Sequence, residues 1–275
     1  KHAFVYSDCW VEDSRLVVLN ARAAAQHGAE IAVRTAFTGA TRDAEGWTCT
    51  LRAGDGGERT VRARAVVNAA GPWVMDAQHE AHTRAPGRVR LIRGSHIVVP
   101  RLHDGPQAYI LQNDDRRVVF VIPYERDFSL IGTADVPHEG DATGAHCTPE
   151  EAAYLCEAVS KQFRRPVTPA DVVWSFAGVR PLFDDGTDDP SAITRDYVLK
   201  LDAEGPPLLT IFGGKITTYR RLAEEAMQRL APHFPGLKPA WTAGTALPGG
   251  DLGVPFAEFL AATARRYPAL PQPAL

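Results

Sequence analysis

The sequence has 275 residues, of which 45% are hydrophobic and 23% are charged, and its net charge at pH 7 is −3. A chain of this length and composition can bury a sizeable core and is long enough for more than one domain. The negative balance argues against a nucleic-acid-binding protein, which normally carries a basic face, but it allows a local basic pocket for a small anion.

No apolar run approaches the length of a membrane span, and no signal peptide is recognisable. The four cysteines show neither CxxC spacing nor clustering with other metal ligands, so we expect reduced thiols in a cytosolic setting and no metal site. The first residue is Lys1 rather than a methionine, from which we expect a fragment of a longer protein.

The N-terminal quarter predicts a helix, a strand and a small β-meander. The helix is predicted to be capped by Asp13 or Ser14 and to end at Gly28. A strand is predicted over residues 31–38, and glycine-containing turns then separate strand-like runs that lead into a buried strand at 65–68.

The central part of the sequence predicts a run of strands, over 91–99, 108–112, 117–123 and 128–133. Asp114 and Asp115 lie between two of these strands and are typical of a hairpin turn. Because no helix intervenes between the strands, we expect an antiparallel sheet.

A capping box opens the next predicted helix, with Thr148 as the cap, Pro149 at the first helical position and Glu151 as the partner of Thr148. Three further strands are predicted over 172–176, 197–201 and 208–212. A helix follows the Gly213-Gly214-Lys215 turn, and another short helix is predicted over 257–266.

The strand–glycine–helix segment from Phe212 to Arg220 is the strongest local signal for a ligand site. Free N–H groups at a helix start attract negative charge, and Lys215 adds a full positive charge. If a flavin ring lies there, the same field stabilises its anionic reduced form. The alternative is a glycine turn capped by Thr217 with a solvated lysine.

Arg180 is a second candidate because Gly178 and Pro181 restrict the backbone around it. Arginine can bind a phosphate group through two parallel hydrogen bonds, which lysine cannot match. The alternative is a surface arginine paired with Asp184 or Asp185. Arg195 is a weaker candidate, since Asp196 beside it is an obvious partner.

His96 lies at the start of a strongly apolar strand and can take a hydroxyl proton near neutral pH. A histidine satisfied inside a sheet is the more frequent case. The segment from Asn68 to Trp73 ends a strand in small residues, which allows a ligand close to the backbone; the alternative is a tight turn between a strand and a helix. The sequence contains no paired carboxylates at helical spacing, nucleophile elbow, HExxH motif or P-loop.

Taken together, these segments resemble the FAD-dependent, quinone-linked glycerol-3-phosphate dehydrogenases, within the wider family of flavin amine and hydroxy-acid oxidases. Any one segment is weak evidence, but their order over nearly the whole chain is highly specific. The matching segments are Tyr6–Val11, Asn68–Trp73, Leu91–Pro100, Ala108–Asn113, Val118–Pro123, Gly178–Leu182, Ala192–Tyr197, Phe212–Arg220 and Leu247–Gly250.

The resemblance implies an α/β plus α+β fold, in which part of an FAD/NAD(P)-binding domain accompanies an antiparallel-sheet substrate domain. The expected boundaries are 1–86 for the first part of the FAD domain and 87–206 for the substrate domain. Residues 207–236 return to the FAD domain, and 237–275 begin a C-terminal helical domain that is largely missing.

The resemblance also implies the reaction, which is hydride transfer from C2 of sn-glycerol 3-phosphate to FAD to give dihydroxyacetone phosphate. Arg180, Arg195 and Lys215 are expected to contact the substrate, and His96 is the candidate base. The residues expected to line the flavin are Ala36, Asn68, Ala69, Gly71, Gly214, Thr217 and Thr218. Quinone is the expected electron acceptor of a bacterial enzyme held peripherally on the inner face of the cell membrane, and a homodimer is compatible with this family.

One departure from the family is large. The family opens with a GxGxxG turn that binds the pyrophosphate of FAD, and this sequence contains no such turn. We therefore expect the chain on its own to bind FAD weakly and to show no turnover. The rival hypotheses are a glycerophosphate oxidase that reduces oxygen, and a non-catalytic chain that binds a phosphorylated ligand or nothing.

Overall fold

The structure is a computed structural model that describes residues 3–184 and 196–270. In these ranges the helices are α1 (Asp13–Gln26), α2 (Val74–Glu80), α3 (Pro149–Ser160), α4 (Tyr219–Leu230) and α5 (Phe256–Arg266). The strands are β1 (Thr35–Arg42), β2 (Trp47–Ala53), β3 (Glu58–Ala63), β4 (Val66–Asn68), β5 (Val89–Pro100), β6 (Tyr109–Gln112), β7 (Val118–Tyr124), β8 (Phe128–Pro137), β9 (Trp174–Phe183), β10 (Val198–Asp202) and β11 (Leu208–Phe212).

The chain divides into two compact units, one formed by Lys1–Thr35 with Gly236–Leu275 and the other by Ala36–Pro235. The first unit contains α1 and α5. The second contains three sheets with α2, α3 and α4. No helix in the described part of the chain is long and apolar enough to cross a membrane. The four cysteines, all of which are described, are free thiols.

The start of α1 differs by one residue from the prediction. Its cap is Glu12, whose carboxylate accepts a hydrogen bond from the backbone N–H of Arg15, so the predicted cap at Asp13 or Ser14 was wrong. The glutamate side chain is long enough to reach the first turn from outside the helix. Gly28 follows the helix with a φ of 92° and confirms the predicted end.

The first strand also begins later than predicted. Residues 31–34 do not form a strand, and β1 runs from Thr35 to Arg42. Arg34 has a φ of 52°, a left-handed conformation that interrupts extended backbone. β1, β2 and β3 then form the predicted meander in the order β1-β2-β3. Its buried Trp47 donates from Nε1 to the carbonyl of Pro206 at 3.1 Å, which ties the meander to the segment before β11.

The second sheet has the strand order β10-β11-β4. β11 is buried along its whole length, antiparallel to β10 and parallel to β4. α4 packs Ala226 and Leu230 against Leu209 and Ile211 of β11. The strand at 65–68 was predicted to be buried, but Val67 is 46% exposed, and β4 forms an edge of this sheet within the described residues.

The third sheet has five strands in the order β6-β7-β8-β5-β9, and each neighbouring pair is antiparallel, as predicted. α3 covers one face of this sheet. The core between them contains Ile97, Val99, Val119, Val121, Ile131, Leu155 and Val159, each of which is inaccessible to solvent. β9 is longer than the predicted strand over 172–176, because its residues through Phe183 pair with β5.

The predicted capping box of α3 is present and belongs to a wider cluster of polar contacts. Thr148 and Glu151 exchange both hydrogen bonds of the box. The Glu151 carboxylate also accepts from Arg93 Nη2 at 2.7 Å and from Ser95 Oγ at 2.8 Å. Burial opposes ionisation, but the hydrogen bonds from the Thr148 backbone, Arg93 and Ser95 outweigh it and lower the pKa of Glu151.

This cluster predicts a pH-dependent contribution to stability. We expect Glu151→Gln to lower the free energy of unfolding by about 2 kcal/mol near pH 7, because it removes hydrogen bonds to a charged group. Since the pKa of Glu151 is lowered by folding, the ionised carboxylate stabilises the fold above the usual glutamate pKa. The difference in free energy of unfolding between wild type and Glu151→Gln should therefore disappear as the pH falls through the pKa of Glu151 in the folded protein.

Urea unfolding of the full-length protein at a series of pH values measures the difference. Glu157→Gln is the matched control, because Glu157 lies on the same helix in an exposed pair with Lys161. A difference between wild type and Glu151→Gln that persists unchanged at pH 3 contradicts the assignment.

Candidate active site

Two strand ends bring most of the predicted ligand-binding residues to one edge of the second sheet. β4 and β11 are parallel, with Asn68 opposite Thr210, so their carboxyl ends lie at the same edge. β4 ends in Asn68-Ala69-Ala70-Gly71, and β11 ends in Phe212-Gly213-Gly214-Lys215. Ligands of open α/β sheets bind in the crevice outside such carboxyl ends.

The turn after β11 is exposed and takes a conformation that favours glycine. Gly213 and Gly214 have φ values of 70° and 103°, and the residues from Gly214 to Thr217 are exposed. A short 3-10 turn follows over Ile216–Thr218, and no side chain caps it. The first N–H groups of such a turn have no partner within it and are available to an electron-rich ligand.

This geometry differs in one detail from the prediction. The helix after the glycine pair begins at Tyr219 rather than directly after Lys215, since the 3-10 turn lies between them. Thr217 does not cap the turn; instead, Thr218 donates from Oγ1 to the carbonyl of Lys215 at 3.0 Å. Lys215 is exposed at the start of the turn.

The turn after β4 is held by the Asn68 side chain. Asn68 Nδ2 donates to the carbonyl of Val74 at 2.8 Å, and Asn68 Oδ1 accepts from the N–H of Ala70 at 3.2 Å. The amide is 7% exposed and is therefore occupied in shaping the loop. Ala69 is exposed within this loop, so its backbone is open to a ligand.

The Gly71–Trp73 turn is anchored on its far side. Trp73 Nε1 donates to Asp141 Oδ1 at 3.1 Å. The pKa of Asp141 is lowered by hydrogen bonds from the Thr143 side chain, the Thr143 backbone and Trp73. The carboxylate therefore stays ionised and holds the loop beside the crevice.

The end of β9 lies next to this crevice. A Cβ placed on Gly213 would be 3.5 Å from the carbonyl oxygen of Pro181 and 3.1 Å from that of Asp196. The Gly71–Trp73 turn also packs against β9. The strand that carries Arg180 therefore adjoins both glycine turns.

His96 and Arg180 lie on one face of the five-stranded sheet, the face opposite α3. In the β5–β9 register, His96 is opposite Phe176, Gly94 is opposite Gly178, and Ile92 is opposite Arg180. Residues that are paired across two strands lie on the same face of the sheet, and so do alternate residues along one strand. His96 and Arg180 therefore share a face, and the Gly94–Gly178 pair lies between them. Phe176 and Arg180 are four residues apart, about 13 Å along the strand.

Gly178 leaves space on the sheet between these two side chains. A Cβ placed on Gly178 would have no neighbour within 4 Å, and both Gly178 and Arg180 are exposed. A small molecule can therefore lie on the sheet with a cation at one end and an imidazole at the other.

Two neighbours of His96 were not identified from the sequence. The Phe176 ring stacks on the imidazole with a centroid distance of 4.8 Å and an interplanar angle of 6°. Gly132 lies opposite His96 on β8. A glycine inside a strand often marks a place where another group approaches the backbone closely, so Gly132 could have been noticed in the sequence. Phe176 has no such mark, because phenylalanine is an ordinary strand residue.

One predicted site residue that the structure describes is not brought to the crevice. Ala36 lies near the start of β1, in the meander rather than in the second sheet. Arg195 lies outside the described residues. The neighbouring Tyr197 donates to Glu225 of α4 at 2.9 Å, and this hydrogen bond, followed by burial, raises the pKa of Tyr197.

The crevice fits the flavin that the sequence resemblance implies. Small residues line both strand ends, so a planar ring can approach the backbone, and the uncapped turn with Lys215 offers donors and positive charge to an electron-rich ring. Of the residues predicted to line the flavin, Ala69, Gly71, Gly214, Thr217 and Thr218 lie in the two turns that border this crevice.

The fit predicts an effect of Gly214→Ala on FAD affinity. Gly214 has a φ of 103°, which strains any residue with a Cβ, and a Cβ there would lie 3.1 Å from Leu222 Cδ1, so alanine strains the turn and pushes against the Leu222 side chain. We expect the Kd for FAD of the full-length protein to rise about tenfold, since a strained left-handed residue costs about 1–2 kcal/mol. Titration of the apoprotein with FAD measures the change.

Gly56→Ala is the matched control, because Gly56 has a φ of 88° in the β2–β3 hairpin and open space around it. Equal changes in Kd for the two variants would show that backbone strain alone, and not the crevice, is responsible.

Comparison with known proteins supports the same interpretation. The chain is 52% identical to a glycerol-3-phosphate dehydrogenase of Pseudomonas aeruginosa, over 91% of this chain and 50% of the relative. It is 50% identical to a D-erythritol 1-phosphate dehydrogenase of Brucella abortus, over 98% of this chain and 54% of the relative. The chain thus spans about half the length of these curated relatives.

A solved structure resembles the chain over nearly its whole length. The glycerol-3-phosphate dehydrogenase of Bacillus halodurans, complexed with FAD, matches with a TM-score of 0.81 at 27% identity, over 93% of this chain and 50% of that structure. Residues 1–220 match the family model described as FAD dependent oxidoreductase. The chain therefore belongs to the FAD dependent oxidoreductase family, with FAD as its cofactor.

Proposed function

We propose that the full-length protein oxidises sn-glycerol 3-phosphate to dihydroxyacetone phosphate and passes the electrons to a quinone. The observation that carries the proposal is that Arg180 and His96 lie on one sheet face, on either side of a glycine pair of which Gly178 is exposed. A phosphate group and a secondary alcohol a few bonds away match these two side chains. The names of the relatives at 46–52% identity support the same substrate class.

Arg180 is the proposed anchor for the substrate phosphate. Its guanidinium can donate two parallel hydrogen bonds to phosphate oxygens, and Lys215 and Arg195 add positive charge. Anchoring one end of the substrate holds the C2 hydroxyl at a fixed place on the sheet. The exposed Gly178, which has no atom within 4 Å of an added Cβ, leaves room for the carbon chain between the two ends.

His96 is the proposed base. The reaction removes a proton from the C2 hydroxyl and a hydride from the C2 carbon, which leaves a ketone. The neutral imidazole accepts the proton, and the bound flavin supplies the hydride acceptor. The positive charge of Lys215 and the free N–H groups of the uncapped turn would stabilise the negative charge of a reduced flavin bound there.

A four-carbon substrate is the second candidate. The D-erythritol 1-phosphate dehydrogenase of Brucella abortus is nearly as similar to this chain as the glycerol-3-phosphate dehydrogenases are. The two substrates share a terminal phosphate and a neighbouring secondary alcohol. Both therefore suit Arg180 and His96, and they differ by one carbon with its hydroxyl group.

Anaerobic addition of each compound to the full-length flavoprotein tests the proposal. We expect sn-glycerol 3-phosphate to bleach the oxidised-flavin absorbance and to yield one dihydroxyacetone phosphate per flavin. A flavin that stays oxidised contradicts the proposal. Faster bleaching by D-erythritol 1-phosphate assigns the protein to the four-carbon substrate instead.

The electron acceptor is tested on the reduced protein. We expect reoxidation by a soluble quinone to be faster than reoxidation by dissolved oxygen, and the reverse order favours an oxidase. We further propose peripheral attachment to the cytoplasmic face of a bacterial membrane. Co-sedimentation of the full-length protein with anionic lipid vesicles tests the attachment, and protein that stays in the supernatant contradicts it.

A further inference from the structure

The imidazole of His96 is confined from both neighbouring strands. β5 lies between β8 and β9, and His96 is opposite Gly132 on one side and Phe176 on the other. The Phe176 ring lies nearly parallel to the imidazole, at 6°. A ring held between two strands in this way has few alternative rotamers.

Gly132 provides the space that the imidazole occupies. A Cβ placed on Gly132 would lie 2.1 Å from His96 Cδ2 and 2.5 Å from His96 Nε2. Such distances are impossible for a real side chain, so any residue other than glycine must displace the ring. Phe120 is opposite Gly132 on β7, so larger side chains flank the gap on both sides.

The glycine is not explained by the backbone. Gly132 lies inside a paired strand, where glycine is weaker than residues with side chains, and its φ is not positive. The contact with His96 is therefore the feature of this position that requires glycine.

We propose that Gly132 and Phe176 are positioning residues, which hold the His96 imidazole in the orientation that accepts the substrate proton. The inference rests on the role proposed above for His96. A displacement of about 1 Å at a reacting group can cost about 10²-fold in rate, so the fit of this ring should be measurable in turnover.

The first test is Gly132→Ala in the full-length protein, with anaerobic flavin reduction followed at saturating sn-glycerol 3-phosphate. We expect the reduction rate to fall by about 10-fold to 100-fold, with FAD content and the Kd for the substrate unchanged. Gly39→Ala is the matched control, because Gly39 lies inside β1 and a Cβ there would meet only the Glu80 carbonyl oxygen at 3.9 Å. It should reduce at the wild-type rate.

A double-mutant cycle separates positioning from a general packing defect. In a His96→Ala background the ring is gone, so the added methyl group meets no imidazole. We expect Gly132→Ala to change the reduction rate of that variant by no more than about twofold. A loss as large as in the wild-type background overturns the inference.

Phe176 provides a second test that does not depend on Gly132→Ala folding. Phe176→Leu keeps an apolar side chain but removes the flat ring, and we expect a loss of about tenfold in the reduction rate. Phe176→Tyr keeps the ring and should recover most of that loss. Equal rates for the leucine and tyrosine variants count against positioning by stacking.

The outcomes distinguish this inference from the proposed function. A wild-type flavin that the substrate does not reduce overturns both. Normal reduction in His96→Gln removes His96 as the base and overturns the inference with it. Slow reduction in His96→Gln, combined with normal rates in Gly132→Ala and Phe176→Leu, overturns the inference alone.

Discussion

Replacing His96 with glutamine should slow flavin reduction by about 10²–10⁴-fold, which is the usual contribution of a positioned general base. Glutamine retains hydrogen-bonding groups but cannot accept the proton of the C2 hydroxyl. The FAD crevice lies at the ends of β4 and β11, whereas His96 lies on β5, so the FAD content should not change. Stopped-flow reduction with sn-glycerol 3-phosphate measures the rate.

The control for this variant is His146→Gln, at an exposed histidine outside the sheet. It should reduce at the wild-type rate. A rate for His96→Gln within a few-fold of wild type would assign His96 a role in packing or orientation only.

Replacing Arg180 with lysine should reduce kcat/KM for sn-glycerol 3-phosphate by roughly 10-fold to 150-fold. The loss follows from about 1.5–3 kcal/mol for a hydrogen bond to a charged group, since lysine cannot form the second parallel bond to phosphate. Activity toward free glycerol, which has no phosphate, should change much less. Steady-state kinetics with the two substrates measure the ratio.

Arg62→Lys is the matched control, because Arg62 is a half-exposed arginine of the meander paired with Asp43. Its kinetics should resemble those of the wild type. Equal losses for both substrates in Arg180→Lys would remove Arg180 from the phosphate site.

Local sequence signals predicted most of the fold. The capping box of α3 and the Asp114-Asp115 hairpin depend on neighbouring residues, and the antiparallel sheet follows from strands in direct succession. The convergence of the Asn68 and Gly213 turns was not predicted, because it depends on the parallel pairing of β4 and β11, which are distant along the chain.

The full length of β9 could not be predicted in the same way. Gly178 and Pro181 resemble turn residues, yet both lie within the strand. β9 is an edge strand of its sheet, so a proline without an N–H group can be accommodated there. Pairing with β5 therefore determined the structure of a segment whose own composition indicates a turn.

The surroundings of His96 were also beyond local reasoning. Gly132 and Phe176 are distant from His96 along the chain and meet it only through strand pairing. The sequence identified the histidine, but the register of three strands determines how its ring is held.

A structure of the full-length protein with FAD and dihydroxyacetone phosphate tests directly whether the face of β5 and β9 that carries His96 and Arg180 binds the substrate. We expect the phosphate of the ligand to lie on the Arg180 guanidinium and its carbonyl oxygen to lie within hydrogen-bonding distance of His96. The carbon chain should cross the Gly94–Gly178 pair. A ligand whose phosphate contacts neither Arg180 nor Lys215, or whose carbonyl group lies away from His96, would contradict the assignment of this sheet face as the substrate site.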